Sequence, residues 1–368
     1  MSFVDFSIAS HSVEINRFQK NTRIFDEKLQ NFVVKLPNFA VKLPNFAVKL
    51  KISHKPLFYS GFYSIFNWYD FRKGAQWTAR QSISVYMENT EAKRNIKLIA
   101  FDLDGTTLHG FAELSQRNRR AMEKANDAGI LVVPATGRVR NFIPPCLTEL
   151  PFIRYAITSN GGAVWDILEN KVLCTDLIPT ETALEVQKIF DDYELYVEYY
   201  VHGRGVTKRG NPDKARTVFG FPEEKYYFLT KDYTFTDNLS AYLKETHAEP
   251  EKINMMFIPE NVRPKILARL QKLDGIELTF SNVDNIEINK KGCDKGTALY
   301  SLCKVLGIDP QNTMAAGDNG NDLGMLKAAG FAAVVGNGIE EAKKIADAVV
   351  APCIEDGFAE AVERFALR

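Results

Sequence analysis

Ile96-Lys-Leu-Ile-Ala-Phe101, followed by Asp102-Leu103-Asp104-Gly105-Thr106, decides the fold. The first six residues are a short apolar run of the kind buried on both faces in a parallel sheet. In extended backbone, residues i and i+2 point the same way. Asp102 and Asp104 can therefore face one site at the carboxyl end of the strand, where open α/β sheets bind ligands. Gly105 lets the chain turn away without a side chain in the way. Two carboxylates this close repel, so one tends to hold a proton unless a cation intervenes. That division suits one nucleophile and one acid–base group. Taken alone, the segment is equally compatible with a strand-end turn that caps a helix.

Downstream, strands and helices alternate. Ser115 is placed to cap a helix through Ala128, and Gly129 to end it. Ile130–Pro134 reads as a second buried strand and Tyr155–Thr158 as a third, followed by the turn Asn160-Gly161-Gly162. This rhythm implies an α/β fold with a doubly wound parallel sheet. From about Pro179 to Ile288 the texture changes. A helix over Thr180–Phe190, strands near Leu195–Tyr200, Lys252–Ile258 and Ile276–Ser281, and a turn at Gly203 and Gly205 indicate an inserted α+β unit. After Lys290 the βα rhythm returns, with a helix from Asp294, a strand at Thr313–Ala316, a helix to Ala328 and a strand at Phe331–Val335. The first domain is thus expected at 95–178 and 289–368, split by a second at 179–288.

Three further groups fall at chemically suitable places. Thr136, in Ala135-Thr136-Gly137-Arg138, follows the second strand, and its hydroxyl and the nearby amides can donate to a phosphate. Lys295 opens a helix, where a cation opposes the helix dipole, so its position makes sense if it faces an anion. Gly317-Asp318-Asn319-Gly320-Asn321-Asp322 is an acidic, glycine-bearing turn at a strand end, suited to hold a hard cation through oxygen. Taken singly, a helix cap, a solvated lysine and an Asx turn are the plain alternatives.

Jointly and in this order, these motifs resemble the four signatures of the haloacid dehalogenase superfamily over about residues 95–368. The insertion between Thr136 and Lys295, Asn160-Gly161 and the closing Asp356-Gly357 are similar to its Cof-like branch. The resemblance implies a Rossmann-like core with an α+β cap, and a magnesium-dependent phosphatase of small phosphorylated metabolites such as sugar phosphates or nucleotide-type cofactors. It makes Asp102 the nucleophile and Asp104 the general acid, then base. Thr136, Gly137 and Lys295 would bind the phosphoryl group. Asp102, Asp318 and the backbone carbonyl of Asp104 would hold Mg2+, supported by Asn321 and Asp322. Asn160 follows a parallel strand and so could reach the site, with a plain turn-former the near-equal alternative. A phosphotransferase or mutase using the same intermediate, and a module that senses a phosphorylated ligand, are the competing classes. Retention of both Asp102 and Asp104 speaks against the second.

Weaker candidates have plain readings. His202, Arg204, Lys208 and Arg209 could meet a second anionic group, but a solvated hairpin is favoured. Asn337 could reach the site or form a turn, and His109 reads as a surface residue near it.

The whole chain of 368 residues balances 46 Lys+Arg against 46 Asp+Glu, which gives no bias towards nucleic acid or membrane. Residues 1–94 differ. They hold 14 basic against 7 acidic residues and 17 of the 42 aromatics, together with a seven-residue repeat that begins Asn31-Phe-Val-Val-Lys-Leu-Pro37. A proline every seventh residue disfavours a continuous helix. This basic, aromatic segment is expected to lie outside the functional domain, with Met87 a natural start before the first core strand. Asp5, Glu14, Asp26 and Glu27 interrupt the apolar core a secretion signal needs, and Pro56–Tyr69 is too short to span a bilayer. Five scattered cysteines with no Cys-x-x-Cys fit a reducing cytoplasm better than a disulfide framework or zinc site.

Overall fold

The computed structural model describes residues 95–218, 226, 233–280 and 285–367. The segment 1–94, with its repeat, lies outside the described residues.

Leu98, Ile99, Ala100 and Phe101 are fully buried, because their strand is flanked on both sides. Parallel neighbours are Thr313–Gly317 on one edge and Leu131–Pro134 on the other. Phe331–Val334 and then Ala348–Val349 extend the sheet beyond Thr313–Gly317, giving five parallel strands. Apolar side chains fill both faces. Ile99 and Phe101 pack with Met122, Phe358 and Phe365 on one side; Leu98 and Ala100 pack with Leu299, Leu302 and Met325 on the other. The Gln116–Asp127 helix begins as its sequence dictates, with the Ser115 side chain accepting from the Asn118 amide.

Tyr155–Thr158 runs parallel to its expected neighbour and then adds antiparallel partners. It meets the parallel sheet through the parallel bridge Ala135↔Ile157 and pairs antiparallel with Ala163–Asp166, which pairs with Lys171–Thr175. The cause is local: Asn160 (φ 57°) and Gly161 (φ 104°) adopt positive φ and turn the chain back. A Cβ at Gly161 would lie 2.2 Å from the Asp294 carbonyl oxygen, so this turn also packs where only glycine fits.

The stretch between these halves forms its own six-stranded sheet. Its order is Thr234–Thr236, Arg204–Lys208, Tyr196–Val201, Lys252–Met256, Ile286–Lys290 and Ile276–Thr279. Strand alternation gives this sheet two unlike faces. Val197, Tyr199, Val201, Ile253, Met255, Ile286 and Ile288 pack in an apolar core with the Thr180–Phe190, Leu239–Thr246 and Arg263–Leu270 helices. Tyr196, Glu198, Tyr200, Lys252, Asn254 and Glu287 take the other face and are buried as well. Gly205 lies within the Arg204–Lys208 strand, while His202 and Gly203 make the turn. No helix among the described residues is long and apolar enough to cross a membrane.

Candidate active site

Parallel pairing brings three strand ends together. Asp102 follows the first strand, and its amide donates to the Ala316 carbonyl at 2.9 Å, beside the Gly317-Asp318 turn. Thr136 lies just past the end of the neighbouring strand, Leu131–Pro134, on the other side. Lys295 is the first residue of the Lys295–Leu306 helix, whose start is fixed by Asp294 and Thr297 in a capping box.

The Lys295 ammonium is wholly buried. It donates to Asp102 Oδ1 at 2.5 Å and to Asp322 Oδ1 at 2.7 Å. Burial alone would lower its pKa; Asp102 and Asp322 outweigh that and hold it above the ordinary lysine value. The other Asp322 oxygen accepts from the amides of Asp318 and Asn319, both at 2.9 Å. Asp322 therefore knits the acidic turn to the lysine. Ligand oxygens of Asp102, Asp318 and Asp322 all lie within 4.8 Å of one another.

One lysine does not balance these carboxylates. Burial pushes the Asp102 carboxyl well above its usual range; Lys295 opposes the shift, and Asp322, Asp104 and Asp318 add to it. Burial and then Asp322 raise Asp318 to about 6, against a hydrogen bond from Thr106 Oγ1 at 2.7 Å and the charge of Lys295. A buried group of oxygens short of positive charge is the donor set a hard divalent cation takes. Both Asp322 oxygens are engaged, so Asp102 and Asp318 are better placed to be carboxylate ligands. Gly105 (φ 85°) seals the arrangement: a Cβ there would come 2.7 Å from Asp318 Oδ2.

Asp104 is held differently. Its carboxylate accepts from Arg138 Nε at 2.8 Å and from an Arg138 terminal nitrogen at 2.5 Å. Arg138 is buried, also donates to the carbonyls of Phe111 and Phe142, and lies 4.1 Å over the Phe111 ring. The Thr136 hydroxyl accepts from the Arg138 amide at 3.1 Å.

Asn160 connects this site to the second sheet. Its Nδ2 donates to Glu287 Oε2 at 2.7 Å, and its Oδ1 accepts from Asn321 Nδ2 at 3.2 Å. Lys252 Nζ bridges Glu287 Oε1 at 2.9 Å and the Gly137 carbonyl at 2.5 Å. Burial would raise Glu287, but Lys252 and Asn160 outweigh it, and the carboxyl sits below its ordinary value.

The sequence reading gave Arg138, Lys252 and Glu287 no role. Arg138 had one local signal, its place beside Thr136 and Gly137. Lys252 and Glu287 had none, since alternating polar residues on a strand also mark a solvated face. Asn337 brackets the first motif, donating to the Gly105 carbonyl at 2.8 Å and accepting from the Cys353 amide. His109 is only partly exposed and is tied to the Cys353 carbonyl at 2.9 Å, with Asp356 3.2 Å away. His202, Arg204, Lys208 and Arg209 are exposed, and Arg209 pairs with Asp237.

Residues 99–362 match the haloacid dehalogenase-like hydrolase family. A 5-amino-6-(5-phospho-D-ribitylamino)uracil phosphatase of Bacillus subtilis is 31% identical over 278 residues, covering 74% of this chain and 97% of its own. A pyridoxal phosphate phosphatase of Escherichia coli is 27% identical over 270 residues, covering 72% and 96%. The crystal structure of a haloacid dehalogenase-like hydrolase from Bacteroides thetaiotaomicron superposes with a TM-score of 0.61 at 28% identity, covering 73% of this chain and 99% of that one. The chain belongs to the haloacid dehalogenase-like hydrolase family and is an enzyme of its phosphoric-monoester hydrolase class.

Proposed function

We propose that this enzyme is a magnesium-dependent phosphatase of small phosphorylated metabolites, acting through a phospho-aspartate on Asp102. The observation that carries this reading is Lys295, buried between Asp102 and Asp322 at the strand ends, with Asp318 completing an acidic cluster.

Phosphoryl transfer is mainly positioning and charge stabilisation. An oxygen of Asp102 attacks phosphorus, and the bond to the leaving oxygen breaks. Lys295 lies on the attacking carboxylate and offsets its repulsion with the phosphate. The Thr136 hydroxyl and the Gly137 backbone are placed to orient the phosphoryl oxygens. Asp104 gives a proton to the leaving oxygen, then takes one from the water that attacks the acyl phosphate. Its carboxylate is half exposed and bound by Arg138, so this role requires Asp104 to turn from the guanidinium. Asp102, Asp318 and the Asp104 carbonyl would hold magnesium, with Asn321 and Asp322 in support. Bound there, the ion would neutralise the carboxylates and draw charge from the phosphoryl group.

Residues 95–178 and 289–368 serve in this reading as the catalytic core, and 179–288 as a cap that selects the alcohol half of the ester. The Lys252 contact with Gly137 supports that division. The substrates named for the two relatives are both monophosphates carrying a nitrogen ring, and we assign this enzyme a compound of that general size. Five free cysteines suit a reducing cytoplasm.

A panel of phosphate esters assayed with and without magnesium tests the activity, and mass spectrometry of rapidly quenched enzyme tests the intermediate. Asp102→Asn is expected to lose both label and turnover. Phosphate on another residue, or full turnover by Asp102→Asn, overturns the mechanism.

A further inference from the structure

The buried face of the six-stranded sheet carries a second polar cluster that the chemistry above does not use. Glu198 is 1% exposed. One of its oxygens accepts from the Tyr196 and Tyr233 hydroxyls, each at 3.1 Å. The other accepts from the Tyr200 hydroxyl and from Asn254 Nδ2, each at 3.2 Å. A carboxylate has about four lone-pair positions, and all four are filled.

These bonds leave the cluster unable to donate. Each phenol has one proton, and each gives it to Glu198. The Asn254 amide group uses its two protons on Glu198 and on the Tyr200 oxygen, 3.4 Å away. With Glu198 ionised this sets the orientation of the amide, because only the nitrogen end can donate to a carboxylate; burial raises the Glu198 carboxyl, so the arrangement belongs to the alkaline side of its titration. Asn254 Oδ1 is then a buried acceptor with no hydrogen-bond partner among the described residues, on a side chain 6% exposed. Leaving such an atom unmet costs about 1–3 kcal/mol, which a donor from outside would recover.

Register relates this atom to the phosphate site. Lys252 and Asn254 share one face of the same strand, about 7 Å apart along it. Lys252 holds the Gly137 carbonyl of the phosphate loop. Across the sheet, Asn254 lies between Glu198 and Glu287, and Glu287 is paired with Lys252. The walls are aromatic: Tyr196 meets Phe257 edge-on at 5.8 Å, and Tyr233 packs on Phe142 at 5.7 Å. The Phe142 carbonyl in turn accepts from Arg138, the partner of Asp104.

We infer that Asn254 Oδ1 is the recognition point for an N–H donor on a flat ring in the alcohol half of the substrate. This rests on the phosphatase reading for the position of the phosphoryl group. A buried acceptor beside aromatic rings favours an amino or ring N–H group over a carbonyl or a methyl.

Two matched esters test it: 4-aminophenyl phosphate and 4-methylphenyl phosphate, which differ by an isosteric amino-for-methyl exchange on phenols of similar acidity. Binding is measured by calorimetry with magnesium on Asp102→Asn, so the result does not depend on turnover. The amino ester should bind about tenfold more tightly, as one hydrogen bond to an otherwise unmet buried acceptor allows. Adding Asn254→Leu should erase that preference. Asn254→Ala serves where leucine prevents folding, and the comparison of the two esters on the unaltered cap needs no cap variant. Equal affinity for both esters, binding of neither, or a preference that survives loss of Asn254 overturns the inference. Failure of the unaltered enzyme to hydrolyse either ester counts against the phosphatase reading alone.

Discussion

Lys295→Met tests the charge balance of the site. Methionine keeps the length of the side chain and removes the ammonium that serves Asp102 and Asp322. Asp322 retains its two backbone amides, so the loss falls mainly on Asp102, which is 5% exposed. Removing one partner of a buried ion pair costs about 3–5 kcal/mol because the other charge is left without compensation. Against a total stability of about 5–15 kcal/mol, the variant is expected to fold but to unfold in markedly less urea. The deficit should shrink between about pH 8 and about pH 5, as Asp318, raised to about 6 with Lys295 in place and higher without it, takes a proton and the cluster loses charge. Magnesium should restore part of it by supplying charge to the folded state only. Asp102→Asn in the same chain should recover most of it, because the uncompensated carboxylate is then gone. Urea titrations in EDTA at about pH 8 and about pH 5 measure these terms. A Lys295→Met enzyme within about 0.5 kcal/mol of the unaltered one in EDTA at about pH 8 would refute the reasoning, since that is the range of an ordinary surface change.

Three further outcomes are expected. Magnesium affinity should fall by at least about tenfold per pH unit below pH 6, because the ion must displace a proton from an Asp318 carboxyl raised to about 6 and competes with protonation of Asp102, which burial also raises; a flat calorimetric profile down to pH 5 would contradict this. The same raised value gives the metal-free fold a stability that declines as pH rises through about 6, since burial favours the protonated form. Arg138→Met should release Asp104 from the two bonds it must otherwise break to act and speed hydrolysis of alkyl phosphates by up to about tenfold, while barely affecting p-nitrophenyl phosphate, whose leaving group needs little protonation. Equal loss on both esters would mean that Arg138 serves something other than proton transfer.

The candidate site was legible where its residues lie next to a strand end in the sequence. Asp102, Thr136 and Asp318 each follow an apolar run, and parallel pairing does the rest: adjacent strands put their carboxyl ends side by side. Lys295 was legible because a cation at a helix start opposes the dipole and needs a reason; the reason is two buried carboxylates. The antiparallel turn of Tyr155–Thr158 was not foreseen, although Asn160-Gly161 marks it, because a strand followed by a turn does not reveal which neighbour the next strand will take.

The polar face of the second sheet was illegible for a different reason. Lys252 and Asn254 alternate with Ile253 and Met255, the pattern of a strand with one wet face. The sequence cannot separate a face covered by water from one covered by another layer of the same chain. The deciding contacts span long separations: Lys252 reaches back 115 residues to Gly137, and Asn160 forward 127 residues to Glu287. Burial converts these residues from solvated to exacting, since each buried polar atom must then find a partner. Lys252 finds two, and Glu198 fills every acceptor position it has. Asn254 Oδ1 does not, and an unmet acceptor on a face otherwise fully satisfied is better explained by a ligand group than by loose packing, because its neighbours on the same strands show that the fold could have supplied a donor.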